Sequence, residues 1–520
     1  MLAYEALRHS AKLRPEHPAV VDAERSLGYA RLRERVHRLA NALAALGAGP
    51  GQRVGLLSRN SSEMVEMLFA AARGGWACVP INYRLAPGEV AEIAADAELC
   101  ALVAEPELAE LAVAVREGGF DGPMVWLGES GSEAADAYSY ERLLADASSS
   151  PPAGEPPHDA VLLQMYTSGT TGRPKGVMLT QANLMANSWV HQAERSVVAS
   201  DRYLTTAPLC HLAAASRMLT LVHAGATHVI ERGFDPGRAI AAIASGGANS
   251  TLVVPAMMRG LLDAAAASPM PVAGRVRLLT YGASPMPQDL LGEALEALAC
   301  DFQQGYGLTE SSPTLTLLPP ADHLPLPDGS YRPQLASVGR EAPGVHVRVV
   351  DAEDRDVTPG AVGEVIARGP NVMRGYWRRP EETAAALRGG WLRTGDLARV
   401  DELGYLYLVD RIKDMLVSGG VNVYPREIER QLEEHPAIAD VAVVGMPDER
   451  FGEVPIAFVV RGAGAGEPLG EPELTGFLEP RLARFKRPRR YEFVAELPRN
   501  AAGKVVKNEL RDRVAAEAAR

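Results

Sequence analysis

The sequence predicts an α/β fold in which a large N-terminal domain of parallel-rich sheets layered with helices precedes a small, mobile α+β domain. Three observations support this prediction. The chain of 520 residues is 47% hydrophobic and 23% charged, as in an ordinary globular protein, and it is long enough for two or three domains. Helix-like and strand-like patterns alternate up to about residue 400, as in βαβ units. After residue 410 the pattern becomes that of a compact α+β domain of about 105 residues.

The first strong helix signal is an apolar repeat early in the chain. Leu32, Val36, Leu39 and Leu43 recur at helical spacing, and Gly47 is a suitable C-cap. We therefore expect one amphipathic helix that ends next to Gly47.

The residues that follow have the pattern of a βαβ unit. A short apolar strand at 53–57 is followed by a helix, for which Ser61 or Ser62 is the cap, and then by a second strand at 76–80. Two strands joined through a helix predict a parallel sheet covered by helices.

The clearest domain break is at residues 410–414, after a strand-like segment. The elements predicted beyond it are a helix at 425–434, strands near 440–445 and 455–460, a helix at 472–480 and a strand at 491–495. The predicted organisation is therefore an N-terminal domain at 1–409, a hinge at 410–414 and a C-terminal domain at 415–520.

Composition narrows the class of protein. The net charge of −12 argues against a general binder of nucleic acids or anionic membranes. The chain has neither the apolar core of a signal peptide nor an apolar run of about 18 residues, so no transmembrane segment is expected. The four cysteines are widely spaced without a C-x-x-C motif, which favours reduced thiols in a cytoplasmic protein. A homodimer is compatible with the sequence.

The most informative segment is YTSGTTGRPKG, at residues 166–176. Its glycines allow the backbone to present amides to an anion, and Lys175 supplies a cation. The hydroxyl and glycine residues of this loop are Thr167, Ser168, Gly169, Thr170, Thr171 and Gly172. An apolar strand precedes the loop, and Thr180 is the predicted N-cap of a following helix. These features predict a site for an oligophosphate, with a plain flexible connection as the alternative.

The same segment is not the P-loop of nucleotide triphosphatases. That motif places a serine or threonine directly after the lysine, where it holds magnesium. Here Gly176 follows Lys175, so the spacing excludes the P-loop.

Seven further strings follow in order along the chain. They are PLCHLAAAS (208–216), YGASPMP (281–287), QGYGLTE (304–310), GEVIARGPNVMRGYW (363–377), WLRTGDLA (391–398), DRIKDMLVSGGVNVYPREIE (410–429) and LPRNAAGK (497–504). Together with the 166–176 loop, they resemble the adenylate-forming enzymes, and most of all the fatty acyl- and aryl-CoA ligases. The resemblance implies activation of a carboxylic acid by ATP and Mg²⁺ to an acyl-adenylate and pyrophosphate, followed by transfer of the acyl group to the thiol of coenzyme A.

The resemblance also implies a nucleotide site. The 166–176 loop would hold the phosphates, Glu310 and Thr167 would bind Mg²⁺, and Thr309 would contact the α-phosphate. Asp396 and Arg411 would bind the ribose. The segments that would enclose the adenine are Gly282, Ala283, Ser284, Gln304, Gly305, Tyr306 and Gly307, with Tyr306 as the stacking ring.

Four features are implied for the catalytic cycle. Lys504 matches the lysine that reaches the substrate carboxylate and the α-phosphate in the first half-reaction, and a compact cation suits that task. Lys413 falls on the hinge position about which the C-terminal domain rotates. The face that would then pass the pantetheine arm is Ser418, Gly419 and Gly420. His211 would gate the thiol tunnel, with a core histidine as the alternative.

The acyl pocket is assigned by the same resemblance. Its predicted residues are Ala213, Ala214, Ala215, Met218, Ser311, Ser312 and Pro313. They are small or apolar, and no arginine or aspartate stands among them to pair with a second carboxylate or an amino group. This disfavours malonate-like and amino-acid substrates and favours a medium- or long-chain fatty acid, with an aromatic or polycyclic acid as the alternative.

Three interpretations remain distinct. The first is an acyl-CoA synthetase, in which the basic cluster at 484–490 either meets CoA phosphates or is a solvated surface. The second is an adenylating enzyme that loads an acyl carrier protein. The third is a nucleotide-dependent switch protein that hydrolyses ATP, against which the absent P-loop spacing and the presence of Lys504 both argue.

Overall fold

Apolar segments bounded by glycine and proline form alternating strands and helices along most of the chain in the computed structural model. The structure describes residues 2–128, 137–168, 174–284, 286–418, 421–448, 450–462, 469–500 and 503–518. The helices are α1 (Ala3–Leu13), α2 (Tyr29–Ala45), α3 (Ser62–Gly74), α4 (Pro87–Ala97), α5 (Ala109–Glu117), α6 (Tyr140–Asp146), α7 (Gln181–Ala193), α8 (Leu212–Ala224), α9 (Pro236–Ala244), α10 (Pro255–Ala266), α11 (Gln288–Leu298), α12 (Pro380–Ala386), α13 (Pro425–Glu433), α14 (Glu471–Leu478) and α15 (Lys507–Ala518).

The strands belong to four sheets. They are β1 (Pro18–Val21), β2 (Ser26–Gly28), β3 (Arg53–Leu57), β4 (Ala77–Pro80), β5 (Ala101–Ala104), β6 (Met124–Trp126), β7 (Ala137–Ser139), β8 (Val161–Ser168), β9 (Pro174–Thr180), β10 (Arg202–Thr205), β11 (Thr227–Ile230), β12 (Ser250–Val253), β13 (Leu278–Gly282), β14 (Asp301–Tyr306), β15 (Thr316–Leu318), β16 (Arg340–Glu341), β17 (His346–Val350), β18 (Val362–Arg368), β19 (Gly375–Tyr376), β20 (Leu392–Val400), β21 (Leu406–Arg411), β22 (Leu416–Ser418), β23 (Val421–Val423), β24 (Ile438–Asp448), β25 (Gly452–Arg461) and β26 (Arg490–Val494).

The chain divides into two compact units. The large unit comprises Met1–Val347 and Ala367–Arg393, and the small unit comprises Arg348–Ile366 and Thr394–Arg520. The hinge at 410–414 and the domain boundaries beside it stay predictions.

Two mixed, parallel-rich sheets form the large unit. One has the strand order β16-β15-β14-β13-β12-β10-β11-β1-β2, and its central pairs from β14 to β1 are parallel. The other has the order β19-β9-β8-β4-β3-β5-β6-β7, with parallel pairs from β8 to β7. The predicted α/β class is confirmed, and so is its basis, since Leu32, Val36, Leu39 and Leu43 of α2 are fully buried in the core between helices and sheets.

The small unit shows why strand alternation produces a two-sided core. Val441 and Val443 of β24 pack with α13 and α14 on one face, while Ala442 and Val444 pack with α15 on the other. The two predicted strands are present and pair as the antiparallel strands β24 and β25, and α13, α14 and β26 are present as well, whereas the sequence patterns missed α15. Among the described residues, no helix combines the length and apolar character needed to cross a bilayer.

Candidate functional site

The predicted phosphate loop connects two antiparallel strands. Tyr166 faces Gly176 and Thr167 faces Lys175 across the β8–β9 pair, so Thr167 and Lys175 stand together at the base of the loop. The strand β9, which the sequence patterns missed, separates the loop from α7. Thr180 caps α7 as predicted, since its Oγ1 accepts the Asn183 N–H at 3.1 Å.

Part of this loop is not described. Gly169, Thr170, Thr171 and Gly172 lie outside the described residues, and for Ser168 the structure describes the backbone. Their roles in holding phosphate stay predictions.

Tyr376 links the cationic and acidic residues predicted for the nucleotide phosphates. The Lys175 Nζ lies 5.4 Å from the centre of the Tyr376 ring, a cation–π distance. The Tyr376 hydroxyl donates a hydrogen bond of 2.8 Å to Glu310 Oε1. Burial, together with the charge of Glu310, raises the pKa of Tyr376 above its usual range, so this phenol remains a donor. Lys175 and Glu310 are thus brought to one place.

Backbone pairing holds Tyr376 there. The strand β19 pairs with β9, and the Trp377 N–H donates to the Gly176 carbonyl at 2.7 Å. A Cβ at Gly176 would lie 2.8 Å from Gln164 Nε2 and 3.1 Å from Tyr166 Cζ, so a larger residue would displace these two side chains. Tyr376 lies within a motif that the sequence analysis singled out, but the sequence alone assigned it no role.

Glu310 is positioned by the turn that contains it. Thr309–Ser311 forms a short 3-10 helix, and the Glu310 carbonyl accepts the Met373 N–H at 2.8 Å. Asn371 Nδ2 donates to the carbonyls of Ser311 and Thr314 at 2.9 and 2.7 Å. The side chains of Ser311 and Ser312 are buried, and Pro313 follows them. These contacts fix the turn, while the pocket role of Ser311, Ser312 and Pro313 stays a prediction.

The segments predicted for adenine lie at the carboxyl ends of β13 and β14. Gly282 pairs with Gly305, and a Cβ at Gly282 would lie 2.3 Å from the Gly305 carbonyl oxygen. A Cβ at Gly307 would lie 1.7 Å from the Pro313 carbonyl oxygen, so both close approaches require glycine. The neighbouring predicted residues are exposed Ala283 and Ser284, buried Gln304 and largely buried Tyr306.

In the small unit, the predicted ribose and catalytic residues come together. Asp396 and Arg411 face each other across β20 and β21, and Arg411 Nε lies 3.1 Å from Asp396 Oδ1. Desolvation and the charge of Arg411 lower the pKa of Lys504, while Asp396 acts in the opposite direction and Lys413 adds to the lowering. Lys504 therefore shares one electrostatic environment with the residues that the resemblance assigned to the nucleotide.

The turn before Lys504 is held by Asn500. The Asn500 Oδ1 accepts the Lys504 N–H at 2.9 Å, and the Asn500 N–H donates to the Lys504 carbonyl at 2.9 Å. Gly503 has a φ of +77°, in the left-handed region that favours glycine. The motif thus fixes the backbone, and the Lys504 side chain, although exposed to solvent, has enough protein atoms around it for desolvation to lower its pKa.

The predicted hinge begins and ends with a firmly held aspartate, since Asp414 is buried and pairs with Arg511 at 2.6 Å. Asp410 accepts the Arg411 N–H at 2.7 Å and the Arg426 N–H at 2.9 Å, and the latter bond caps the first turn of α13. Lys413 is exposed. Ser418 is buried at the end of β22, whereas Gly419 and Gly420 lie outside the described residues. The rotation and the thiol face stay predictions.

The acyl-pocket prediction falls mainly on α8. His211 is half-buried at the N-cap, Ala213 is half-buried, and Ala214, Ala215 and Met218 are buried. Burial raises the pKa of the neighbouring Cys210 thiol to about 12, so this cysteine is not a nucleophile at neutral pH.

The sequence analysis overlooked an arginine on this helix. Arg217 follows Ala213 and Ala214 by four and three residues, so helical spacing places all three on one face. The expectation that no arginine stands near the pocket residues is therefore wrong. The spacing itself was the signal that could have found it.

The basic cluster at 484–490 is largely ion-paired. Lys486 Nζ lies 2.7 Å from Glu427, Arg487 Nη1 lies 3.1 Å from Glu479, and Arg490 pairs with Glu492 at 2.5 Å. This arrangement favours the interpretation of a solvated surface.

Comparisons with known proteins agree with this geometry. The sequence matches the family described as AMP-binding enzyme over residues 7–377, and the AMP-binding enzyme C-terminal domain over residues 427–504. A fatty acid–[acyl-carrier-protein] ligase, ScoC, from Streptomyces coeruleorubidus is 39% identical over 521 residues, which cover 98% of this chain and 96% of the relative. A feruloyl-CoA synthase from an Amycolatopsis species is 38% identical over 512 residues, or 97% of each chain. The solved o-succinylbenzoate CoA synthetase of Bacillus subtilis, in complex with its acyl-adenylate, superposes with a TM-score of 0.85 at 28% identity over 98% of both chains.

Proposed function

Because the chain belongs to the AMP-binding enzymes of the adenylate-forming superfamily, we propose that it joins a carboxylic acid to coenzyme A with ATP. It is an AMP-forming acid–thiol ligase. In the first half-reaction a carboxylate oxygen bonds to the α-phosphorus of ATP, and the bond from that phosphorus to the β-phosphate oxygen breaks to release pyrophosphate. In the second, the thiol sulfur bonds to the acyl carbon, the bond from that carbon to AMP breaks, and the thiol proton passes to solvent.

The arrangement of Lys175, Tyr376 and Glu310 is the observation that carries the proposal. Lys175 would bind the departing phosphates at the base of the loop. Tyr376 holds one oxygen of Glu310 at 2.8 Å and so orients the carboxylate that would bind Mg²⁺. The described residues contain no cluster of three or more metal-ligating side chains, which fits Mg²⁺ because this ion is held by one or two carboxylates together with substrate phosphates. Mg²⁺ bound there would neutralise charge on the phosphate oxygens.

The small unit would contribute to adenylation through a different set of groups. Asp396 is suited to accept hydrogen bonds from a ribose diol, and Arg411, at 3.1 Å from it, orients the carboxylate. Lys504 would stabilise the charge that develops between the carboxylate and the α-phosphate. Rotation about Lys413 would then remove Lys504 and bring Ser418 and its two following glycines to the acyl-adenylate.

The acid is proposed to be a medium- or long-chain fatty acid. The alanines of α8 leave space for an acyl chain. The relatives act, by their names, on fatty acids, on ferulate and on o-succinylbenzoate, so an aromatic acid is the second candidate.

An acyl carrier protein is the second candidate for the thiol. The relative from Streptomyces coeruleorubidus is named for that acceptor. In the small unit, Ile412, Val417 and Val421 are exposed, at 41%, 46% and 47%, beside the predicted thiol face. An apolar surface at this position suits contact with a protein.

The test is pyrophosphate release across a panel of acids, from acetate to long-chain and aromatic acids, with CoA, with a phosphopantetheinylated carrier protein, or with neither. We expect acid-dependent release and a CoA thioester as product. If a thioester forms on the carrier protein and none forms on CoA, the carrier protein is the acyl acceptor. Release that is independent of every acid would overturn the proposal in favour of a nucleotide hydrolase.

A further inference from the structure

Arg217 of α8 is a buried cation without a matching carboxylate. Its side chain is 5% exposed, and its Nε and Nη1 have no hydrogen-bond partner within the described part of the chain. An unpaired charge in a protein interior is strongly unfavourable, because it loses its hydration without a compensating partner. A partner that arrives with a ligand would remove this cost.

The carboxylate of Asp201, which directly precedes strand β10, already has an arginine partner. Asp201, at the start of β10, accepts two hydrogen bonds of 2.7 Å from Arg277 Nε and Nη2. Arg217 instead faces neutral groups: its guanidinium carbon lies 5.8 Å from the centre of the Tyr203 ring. Burial keeps Tyr203 neutral by raising the pKa of its phenol, and it keeps His191 neutral by lowering the pKa of its imidazole, which the charge of Arg217 lowers further. Arg217 shares a hydrogen bond with Tyr203, but no carboxylate among the described residues forms an ion pair with it.

Further buried polar atoms on α7, which packs against α8, also lack partners. Asn187 and His191 are one turn apart on one face of α7 and are 1% and 3% exposed. Both polar atoms of the Asn187 amide and the Nδ1 of His191 have no hydrogen-bond partner among the described residues. Several unsatisfied polar groups near one another indicate a binding site more strongly than a single packing defect.

Arg217 also borders a narrow crevice beside the predicted acyl pocket. About 160 Å³ of space here is not filled by protein atoms, and no part of it is wide enough for a water molecule. The crevice is lined by Tyr203, Leu204, Thr205, Ala207, Ala214, Arg217 and Leu252. Ala214 is both a wall of this crevice and a predicted pocket residue. Water therefore does not solvate Arg217 in this crevice, and a carboxylate would bind there only after the surrounding side chains move apart.

We propose that Arg217 binds a second carboxylate at the far end of the substrate acid, so that the enzyme activates dicarboxylic acids in preference to fatty acids of equal length. This inference rests on the proposed ligase reaction, and it replaces the fatty acid proposed above, which ends in a methyl group, with an acid that ends in a second carboxylate. A planar guanidinium pairs with a carboxylate through two parallel hydrogen bonds, which gives both affinity and orientation. An acid that ends in a methyl group would leave Arg217 buried and unpaired, so the site discriminates against it.

The test compares matched pairs of acids with the wild-type enzyme: butyrate with succinate, hexanoate with adipate, and octanoate with suberate. The readout is acid-dependent ATP–pyrophosphate exchange, from which kcat/KM is obtained. We expect the wild type to favour the dicarboxylic member of at least one pair by more than about tenfold. Arg217→Met should reverse that preference, Arg217→Lys should restore part of it, and the exposed Arg238→Met is the matched control.

Thermal unfolding gives a second readout that a purely structural role would not produce. The preferred dicarboxylic acid should raise the Tm of the wild type and leave that of Arg217→Met unchanged. A preference for monocarboxylic acids in the wild type, or an equal loss for both members of every pair in Arg217→Met, would overturn this inference and leave the ligase intact. Exchange that is silent with every acid would overturn the ligase and this inference together.

Discussion

In the large unit, Glu310 is held by a hydrogen bond from Tyr376 and by a backbone bond from Met373, within a turn fixed by Asn371. In the small unit, Lys504 extends from an exposed turn, and only its backbone is fixed by Asn500. The large unit thus presents a preorganised carboxylate, whereas the small unit presents a long, flexible cation. A group that binds metal and phosphate throughout a reaction benefits from rigidity, and a group required in one half-reaction benefits from being removable.

The largest expected effect is that of Lys504→Ala. Loss of the cation should slow adenylate formation on the order of a thousandfold, because the charge developing at the α-phosphate loses its neutralising partner. Thioester formation from supplied acyl-adenylate and CoA should change little, since Lys504 is not required there. Single-turnover measurements of each half-reaction test this, with Lys12→Ala, an exposed lysine of α1, as the control. Equal losses of rate in both half-reactions would contradict the view that Lys504 is needed for adenylation alone.

Glu310→Gln should slow adenylation on the order of a hundredfold, because the amide keeps the shape but loses the charge that would bind Mg²⁺. Raising the Mg²⁺ concentration should recover part of the rate in this variant but none in Lys504→Ala. The measurement is a Mg²⁺ titration of pyrophosphate release, with Glu381→Gln at an exposed position as the control. A loss that does not depend on Mg²⁺ would show that Glu310 has another role.

Tyr376→Phe should have a smaller effect. It removes the 2.8 Å hydrogen bond to Glu310 and keeps the ring beside Lys175, so we expect about a tenfold loss of adenylation. Tyr376→Leu, which removes the ring as well, should lose more. If Tyr376→Phe retained the full rate, the preorganisation ascribed to the large unit would not matter for catalysis.

A separate effect concerns stability in acid, where the large unit should be the sensitive one. Burial lowers the pKa of His228 to about 3 and that of His323 to about 4, so both are neutral in the folded protein. The unfolded chain binds a proton at each near pH 6.5. Their contribution to stability is therefore complete above that pH and is lost as the pH falls towards the folded-state pKa values. Between pH 6.5 and pH 5, protonation of each histidine in the unfolded chain should lower the free energy of unfolding by about 2 kcal/mol.

Tryptophan fluorescence can follow this loss in the large unit alone. All five tryptophans, Trp76, Trp126, Trp189, Trp377 and Trp391, lie in its two segments. Urea unfolding at pH 8 and pH 5 should show less acid sensitivity for His228→Asn, by about 2 kcal/mol, than for the wild type. His435→Gln, in the small unit, is the control. Unchanged acid sensitivity in His228→Asn would mean that this histidine titrates alike in both states.

Local patterns predicted much of the fold because helix and strand periodicity is a property of neighbouring residues. The repeat that ends near Gly47 became α2, and β3 spans the predicted residues Arg53–Leu57. The short strand β9 was missed because the glycine-rich loop before it and the cap after it obscured the alternation. The helix α15 was missed because charged residues weaken its apolar stripe.

The sequence predicted which residue types form the candidate site better than it predicted which of them contact one another. The motifs identified Glu310, Asp396, Arg411 and Lys504 by residue type and order. They gave no reason to connect Tyr376 with Glu310, which lie 66 residues apart in the chain.

The sequence by itself determined the class of fold, the family and the set of groups that its chemistry requires, because these depend on residue types at fixed local spacing. Tertiary structure decided which of those groups share an environment. The pairing of β19 with β9 brings Tyr376 between Lys175 and Glu310, and the packing of α8 leaves Arg217 buried without a carboxylate. Such contacts depend on strand register and helix orientation, which are fixed only when distant segments pack together and exclude water.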